Sequence, residues 1–345
     1  MTLRDEILEQ PAAAQRLLEA APESFAGIAA ALRARRPRFA VIAARGTSDN
    51  AALYAQYLFA VRNGLLVALA TPSTITLYGG HPNMSDALVI GISQSGRSPD
   101  IIAVLDEARA QGAPTIAMTN DPGSPLAEAA EHVVDLRAGP ELATAATKSY
   151  TTELLAVTLL STALDAASAS EASDLQHVPE LMAEAMSAEE TARSIANGHG
   201  DRTRCLVLGR GYDYATAREW SLKLTEMAQL HALAYSTADF EHGPLALAEP
   251  GFEVLAVAPR GVSLDAQFDV LRRLRREHGA RLLVISDAAD ALKLDEGLPL
   301  PAGIPQWLTP LISIIPGQLY AYYVTLARGL DPDRPRTISK VTETT

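Results

Sequence analysis

Short apolar runs alternate along this chain with longer segments whose apolar residues recur at helical spacing. In the first half these runs begin at Phe39, Val67, Ala87, Thr115 and His132. A strand buried inside a parallel sheet has this continuous apolar character, and the segments between the runs are long enough to form crossover helices. The pattern predicts an α/β fold built on a doubly wound parallel sheet.

The same pattern returns in the second half of the chain. Gly211, Val254 and Leu282 follow Gly46, Val89 and Thr115, respectively, at almost the same separation along the sequence. A near-constant offset over three elements indicates an internal duplication. Two related α/β domains are therefore expected rather than one large sheet.

The remaining segments complete the predicted domain organisation. Residues 2 to about 36 read as two helices broken at Pro22, and a Ser- and Ala-rich stretch from Asp165 to Asp174 has the composition of a linker. The expected divisions are an N-terminal helical segment (1–35), a first domain (36–165), a linker and helix (166–198), a second domain (199–330) and a C-terminal tail (331–345).

Two strand-to-helix loops of the first half have the composition of an anion site. One contains Gly46 and places Thr47, Ser48 and Asp49 at a helix cap; the other contains Ser93, Gln94, Ser95, Gly96 and Ser98 before a helix expected to begin near Pro99. Helix N-termini stabilise phosphate through N–H groups and the helix dipole, and hydroxyls add donors. A loop that only caps its helix would need one of these hydroxyls.

The two halves differ at the second of these loops. Ala258, Pro259 and Arg260 stand where the first half has Ser93, Gln94 and Ser95. We therefore expect the first domain to bind phosphate at the carboxyl edge of its sheet and the second domain mainly to complete the fold.

Composition limits the classes of partner. The formal net charge is −12, which argues against nucleic acid and anionic membranes, because both require clustered Lys and Arg. Apolar residues make up 48% and charged residues 20%, as in a globular protein. Cys205 is expected in a buried strand, so no disulfide can form within the chain. The N-terminus shows no signal-peptide pattern and no run would span a bilayer, so we expect a cytoplasmic protein.

Three motifs together make the chain resemble the sugar isomerase (SIS) family of phosphosugar-binding proteins. They are Gly46-Thr-Ser, Ser93-Gln-Ser-Gly and Ala146-Thr-Lys-Ser-Tyr-Thr-Thr. The second half adds Glu219-Trp-Ser-Leu-Lys-Leu-Thr-Glu, Phe240-Glu-His-Gly-Pro and Asp331-Pro-Asp-Arg-Pro, which look most like the double-SIS enzymes of amino-sugar phosphates. The resemblance runs from about residue 25 to the C-terminus and implies two pseudo-repeated SIS domains, each a three-layer αβα structure.

The resemblance also implies which residues contact the substrate. The phosphate is expected against Thr47, Ser48, Ser93, Gln94, Ser95 and Ser98. Further contacts with the substrate are expected from Gly46, Gly96, Arg97, Thr144 and Lys223. A solvated surface arginine is an equally good interpretation of Arg97. No metal and no cofactor is expected.

Three further residues match catalytic positions of the family. Glu226 matches the carboxylate that moves a proton between C1 and C2, His242 matches an imidazole that assists ring opening, and Lys340 matches a lysine on the tail that closes over the sugar. Taken alone, Glu226 would form a solvated helix pair with Lys223, His242 would be a loop histidine and Lys340 would lie in a disordered tail. The imidazole is supplied across a dimer interface in relatives, so a homodimer is expected.

Departures from the aminotransferase pattern favour one activity in the family. The glutaminase domain and its N-terminal cysteine are not found in this sequence, and Arg97-Ser-Pro-Asp is similar to the deaminase branch. We expect a deaminase that converts glucosamine 6-phosphate to fructose 6-phosphate and ammonia. The alternatives are a fructosamine-phosphate deglycase, an amino-sugar isomerase without a glutaminase and, from another class, a phosphosugar sensor without turnover.

Overall fold

The secondary structure follows the predicted alternation of strands and helices. The computed structural model describes residues 2–165, 169–336 and 340. The helices are α1 (Leu3–Leu8), α2 (Gln10–Arg35), α3 (Gly46–Asn63), α4 (Ser73–Thr76), α5 (Pro99–Ala110), α6 (Pro125–Ala129), α7 (Lys148–Leu164), α8 (Ala169–Gln176), α9 (Val178–Ala185), α10 (Glu189–Asn197), α11 (Asp213–Glu226), α12 (Thr237–Glu241), α13 (Leu264–Glu277), α14 (Ala289–Leu292) and α15 (Thr309–Ala327). The strands are β1 (Phe39–Ala43), β2 (Val67–Leu69), β3 (Ala87–Ile92), β4 (Thr115–Thr119), β5 (His132–Asp135), β6 (Arg204–Gly209), β7 (His231–Ser236), β8 (Glu253–Val257), β9 (Arg281–Ser286) and β10 (Glu296–Pro299).

The strands form two five-stranded parallel sheets with the same topology. The order is β2-β1-β3-β4-β5 in the first sheet and β7-β6-β8-β9-β10 in the second. Register is also preserved, since Ala43 pairs with Gly91 in the first sheet and their counterparts in the repeat, Leu208 and Ala256, pair in the second. These sheets confirm the predicted fold class and the internal duplication.

The chain divides into two structural units, which we name by their sheets. Of the described residues, the first-sheet unit contains 9–141, 148–165, 169–177 and Lys340, and the second-sheet unit contains 2–8, 142–147 and 178–336. The short segment 142–147 thus belongs to the second-sheet unit although its neighbours in sequence belong to the first-sheet unit. Sequence patterns did not predict this exchange of segments.

Each sheet is covered by the apolar faces of its helices. Every residue of β3 is buried, and Val104 and Leu105 of α5 pack with it in the core of the first-sheet unit. A Cβ on Gly91 would stand 2.8 Å from Leu105 Cδ1, so glycine allows helix and strand to approach closely. Full burial of one such Val or Leu side chain contributes about 1.5–3 kcal/mol. This packing fixes where the loops at the carboxyl edge begin.

The predicted helix break at Pro22 was wrong. Helix α2 continues from Gln10 to Arg35, and the break falls at Glu9. Pro11 lies in the first turn of α2, where the missing N–H has no intrahelical partner to lose. Packing of α2 along α7 through buried residues such as Leu18 outweighs the local helix-breaking tendency at position 22.

The Ser- and Ala-rich stretch expected to be a linker is helical from Ala169 onward. Helices α8, α9 and α10 cover most of residues 169–197. Leu175 on α8 is buried, so this helix is stabilised by packing as well as by the good helix propensity of its alanines. Residues 166–168 lie outside the described residues, as do 337–339 and 341–345 of the predicted tail.

Two smaller expectations concern Cys205 and membrane insertion. Cys205 is buried in β6 as predicted, and burial raises the pKa of its thiol to about 12. Among the described residues, no helix combines the length and the apolarity needed to cross a bilayer.

Candidate active site

The two predicted anion-binding loops leave neighbouring strands of the first sheet. Strands β1 and β3 pair directly, and each is followed at its carboxyl end by one of the loops. The strand order reverses between β1 and β3, which is the switch point where open parallel sheets bind ligands. Topology alone therefore places the two hydroxyl-rich loops side by side.

The loop from Ser93 to Ser98 is held in one shape by hydrogen bonds. The N–H of Gly96 donates to Ser93 Oγ (3.2 Å), and the Gln94 carbonyl accepts from the N–H of Asn120 (3.1 Å). The Gly96 carbonyl accepts from the N–H of Leu126 (3.0 Å). Because these bonds tie the loop to the end of β4 and to α6, it is preorganised before any ligand binds.

Gly96 is required by the loop for two separate reasons. Its φ of +63° is unfavourable for residues with a side chain. A Cβ at this position would also overlap Ser124 Oγ and lie 2.9 Å from Thr119 Oγ1. The glycine thus allows the loop backbone to approach the neighbouring loop.

The serine side chains of this loop take no part in capping the helix that follows. Ser98 is the N-cap of α5, yet its side chain makes no capping hydrogen bond. Ser93 Oγ and Ser95 Oγ act as acceptors for the N–H groups of Gly96 and Arg97. The Ser98 side chain thus makes no hydrogen bond at the cap of its own helix.

The other loop differs from its prediction in detail. Arg45 is the N-cap of α3, so Thr47 and Ser48 lie in the first turn of the helix rather than at the cap. Ser48 is buried, and its hydroxyl donates to Glu153 Oε1 on α7 (2.8 Å). Donation from Ser48 to a phosphate would require this hydrogen bond to break.

Arg97 points its guanidinium at another loop of the same unit. Its Nη2 lies 3.4 Å from Asp121 Oδ2, and both side chains are exposed. Exposed ion pairs of this kind contribute roughly 0–1 kcal/mol. The structure is therefore compatible with the solvated-surface interpretation of Arg97.

Lys340 is held by a buried carboxylate that the sequence did not single out. Its Nζ donates to Glu141 Oε2 (2.8 Å), and both residues belong to the first-sheet unit. Ser149 at the start of α7 donates to the same carboxylate through its N–H (3.0 Å) and its hydroxyl (2.7 Å). Glu141 thus connects the tail lysine to the N-terminus of α7.

Glu226 in the second-sheet unit is paired with a buried lysine. Lys223 Nζ lies 2.7 Å from Glu226 Oε2 and 3.3 Å from Glu219 Oε1. Lys223 and Glu219 are buried, whereas 25% of the Glu226 side chain is exposed. Burial alone would lower the pKa of Lys223, but the two carboxylates raise it, so the lysine stays protonated. The arrangement fixes one oxygen of Glu226, and the burial of Lys223 shows that this is not the solvated helix pair that the spacing alone suggests. The substrate contact of Lys223 stays a prediction.

His242 and Thr144 also belong to the second-sheet unit. His242 is exposed at the C-cap of α12 and is followed by Gly243, whose φ is +140°. Thr144 is half-buried in the segment 142–147, where Glu6 accepts the N–H of Ala143 (3.2 Å). An exposed imidazole can reach a substrate without a rearrangement of the core.

The predicted site residues fall into two groups, each within its own unit. The first-sheet unit holds Gly46, Thr47, Ser48, Ser93, Gln94, Ser95, Gly96, Arg97, Ser98 and Lys340. The second-sheet unit holds Thr144, Lys223, Glu226 and His242.

Sequence reasoning missed several charged side chains that hold these groups in place. They are Arg45, Asp100, Glu141, Glu153 and Glu219. All but Glu141 lie inside or next to a quoted motif, and Glu141 lies a few residues before one, so proximity to a motif was the available signal. Lys223, the partner of Glu219, lies on the same helix, whereas the other four have partners elsewhere in the chain.

Comparison with known proteins identifies the family. The SIS domain model matches residues 35–163 and 201–328. The glutamine--fructose-6-phosphate aminotransferase (isomerizing) of Methanothermobacter thermautotrophicus is 35% identical over 298 residues, which is 86% of this chain and 50% of that protein. The chain therefore spans about half the length of the curated relatives it matches.

Two solved structures show the same architecture. The C-terminal domain of glucosamine-fructose-6-phosphate aminotransferase from Francisella tularensis aligns with a TM-score of 0.87 at 27% identity, covering 95% of this chain and 97% of that one. Glucosamine-6-phosphate deaminase from Thermotoga maritima aligns with a TM-score of 0.76 at 20% identity, covering 98% and 100%. With two matched domains, two repeated sheets and the hydroxyl-rich loops at the switch point of the first, the chain belongs to the SIS family.

Proposed function

We propose that this protein is an amino-sugar phosphate deaminase that converts glucosamine 6-phosphate and water to fructose 6-phosphate and ammonia. The observation that carries the proposal is the Lys223–Glu226 pair, at 2.7 Å. The buried lysine holds one carboxylate oxygen and leaves a partly exposed carboxylate as a base. A fixed carboxylate is what proton transfer beside a carbonyl requires.

The phosphate group gives the substrate its anchor in this proposal. Ser93, Ser95 and Ser98 offer hydroxyls next to the N-terminus of α5, and the loop is preorganised. Binding energy from a remote phosphate can hold the reacting carbons in place and lower the barrier by several kcal/mol.

The proposed reaction is an isomerisation followed by a hydrolysis, and it needs no external oxidant or reductant. His242 assists ring opening, and Glu226 removes the C2 proton of the open-chain aldehyde to form an enolamine. Return of the proton to C1 yields the imine of fructose 6-phosphate. Water then adds to C2, the carbon–nitrogen bond breaks, and ammonia leaves.

Lys340 acts as a cation in this scheme. Glu141 is buried and accepts a hydrogen bond from Lys340 Nζ, so the lysine side chain is held in place by a carboxylate. Hydrolysis of a substrate imine requires no imine on the enzyme. We therefore assign Lys340 to binding an oxygen of the open-chain sugar rather than to covalent catalysis.

A deaminase is preferred to other activities on the evidence of sequence. The turn Arg97-Ser98-Pro99-Asp100 is similar to the deaminase branch of the family. The relatives of this chain that are named above include enzymes of amino-sugar phosphates. In the proposed enzyme a homodimer supplies His242 to the partner's active site.

The test is a product assay on purified protein with glucosamine 6-phosphate. Ammonia and fructose 6-phosphate are quantified separately, with galactosamine, mannosamine and fructosamine 6-phosphates run in parallel. Equal release of both products from the gluco compound, abolished by Glu226→Gln, is expected. Turnover of fructosamine phosphate alone would identify a deglycase, and phosphosugar binding without turnover of any compound would identify a sensor.

The dimer assignment has its own test. Glu226→Gln and His242→Asn chains should each be inactive alone. Mixed as heterodimers, they should regain up to about a quarter to a half of wild-type activity if His242 acts across the interface. No recovery in verified heterodimers would mean that each chain supplies its own histidine.

A further inference from the structure

Arg45, which belongs to none of the quoted motifs, joins the two hydroxyl-rich loops of the first-sheet unit. Arg45 precedes Gly46 and is the N-cap of α3. Its Nε and Nη2 lie 2.8 and 2.7 Å from Oδ2 of Asp100, in the first turn of α5. The ion pair therefore links the N-termini of the two helices that start the candidate phosphate site.

The two partners of this ion pair differ sharply in exposure. Only 1% of the Asp100 side chain is exposed, and its second oxygen accepts the N–H of Ile101 (3.0 Å). By contrast, 49% of the Arg45 side chain is exposed. The pair thus presents its cation to an incoming ligand and covers its anion, which would otherwise repel phosphate.

The guanidinium retains donors for a ligand. Of the five N–H groups of an arginine, the contacts to Asp100 use one on Nε and one on Nη2. The remaining three belong to a rigid planar fork, the geometry best suited to phosphate oxygens. Asp100 fixes the orientation of that fork.

The second-sheet unit provides an internal comparison. Arg210 and Asp265 occupy the positions in the second repeat that correspond to Arg45 and Asp100 in the first. Within the described part of that unit no ion pair joins them. The pair is therefore formed in the repeat whose loop carries Ser93, Gln94 and Ser95 and not in the repeat that lacks them.

We propose that Arg45 binds the substrate phosphate directly and that Asp100 is the positioning residue that holds its guanidinium at the N-termini of α3 and α5. The proposal rests on the phosphate-binding part of the proposed function. It does not depend on which reaction follows binding.

Calorimetric titration with inorganic phosphate tests the proposal without any turnover. Arg45→Gln should weaken phosphate binding about 10- to 100-fold, and Arg45→Lys should recover part of the loss because it keeps the charge. Arg35→Gln is the matched control, since Arg35 forms a similar half-exposed pair with Glu131 Oε1 (2.9 Å) and should bind phosphate as wild type does.

Two further measurements separate binding from a purely structural role. Wild-type affinity should rise from about pH 6 to about pH 8 as phosphate gains its second charge, and Arg45→Gln should lose much of this rise. Asp100→Asn should weaken binding about 3- to 10-fold in the wild type but not in the Arg45→Gln background, because it acts through Arg45.

The outcomes distinguish this proposal from the proposed function. A folded Arg45→Gln variant that binds phosphate within threefold of wild type overturns the role of Arg45. An increase in affinity in Asp100→Asn overturns the positioning role of Asp100. Loss of phosphate binding in Arg45→Gln, in a protein that deaminates no amino sugar, supports the inference while the deaminase proposal fails.

Discussion

Ser48 and Asp213 occupy equivalent positions in the two repeats, and their hydrogen bonds run in opposite directions. Ser48 donates to the carboxylate of Glu153 on α7. Asp213 accepts from Thr309 Oγ1 (2.7 Å) and Ser313 Oγ (2.9 Å) on α15. In each repeat one carboxylate thus joins two helices, α3 to α7 in the first repeat and α11 to α15 in the second. The carboxylate lies on α7 in the first repeat and on α11 in the second.

The buried position of Asp213 makes the stability of the second-sheet unit sensitive to pH. Burial raises the pKa of Asp213 to about 7, despite the two hydroxyl donors, whereas an unfolded aspartate titrates near 4. Between about pH 4 and pH 7 the folded chain keeps a proton that the unfolded chain has lost, so stability falls as pH rises. Asp213→Asn should remove this fall, which is roughly 3–4 kcal/mol at most.

The measurement is urea unfolding of wild type and Asp213→Asn at several pH values. The difference in unfolding free energy should shift in favour of the variant as pH rises. Asp265→Asn, which changes an exposed carboxylate in the first turn of α13, controls for the loss of a carboxylate as such. A difference between wild type and Asp213→Asn that stays constant with pH would contradict the prediction.

Glu226→Gln should separate catalysis from binding. Loss of the base should lower kcat about 1,000-fold, while the dissociation constant for fructose 6-phosphate stays within threefold of wild type. Lys223→Met removes the cation between two carboxylates and should instead lower the free energy of unfolding by about 3–5 kcal/mol. An active Glu226→Gln enzyme would remove Glu226 from the proton transfer.

Lys340 should not form a covalent intermediate with fructose 6-phosphate. Glu141 holds its ammonium at 2.8 Å, so borohydride reduction in the presence of the ketose should leave the protein mass unchanged. Lys340→Met should lower kcat/KM about 10- to 100-fold, and Lys340→Arg, which keeps the charge, should lower it less. A reduced adduct mapped to Lys340 would show that the lysine acts covalently.

Gly96→Ala should disrupt the loop from Ser93 to Ser98. The added Cβ meets Ser124 and Thr119 in addition to the strain of a positive φ, so we expect a loss of about 2–4 kcal/mol in stability together with phosphate binding. Gly112 has a φ of +78° with open space around its Cβ position and isolates the backbone term. Gly112→Ala should cost about 1 kcal/mol and leave phosphate binding intact.

The strands could be predicted because each depends on residues that are close together in the sequence. A continuous apolar run such as Ala87–Ile92 is typical of a strand buried on both faces, and Pro99 marks the helix start that follows it. The break expected at Pro22 failed because packing of α2 on α7, which is not local, decides whether that helix continues.

The site was predicted in part for the same reason. Hydroxyl-rich loops at the ends of adjacent strands follow from local composition and strand order. The direction in which Ser48 donates its proton does not follow, because it depends on Glu153, 105 residues away. Nor does the burial of Lys223, because helical spacing puts it beside Glu226 without showing which face of α11 meets the core.

The strands, the duplication and the hydroxyl-rich loops could all be predicted from the sequence, since each is encoded by neighbouring residues. Which charges meet depends on the tertiary structure, because strand order and helix packing bring distant residues together. Arg45 pairs with Asp100, which is 55 residues away in the sequence, and Lys340 pairs with Glu141, which is 199 residues away. Such pairs have no local pattern, and the energy of an ion pair depends on the burial that the fold imposes.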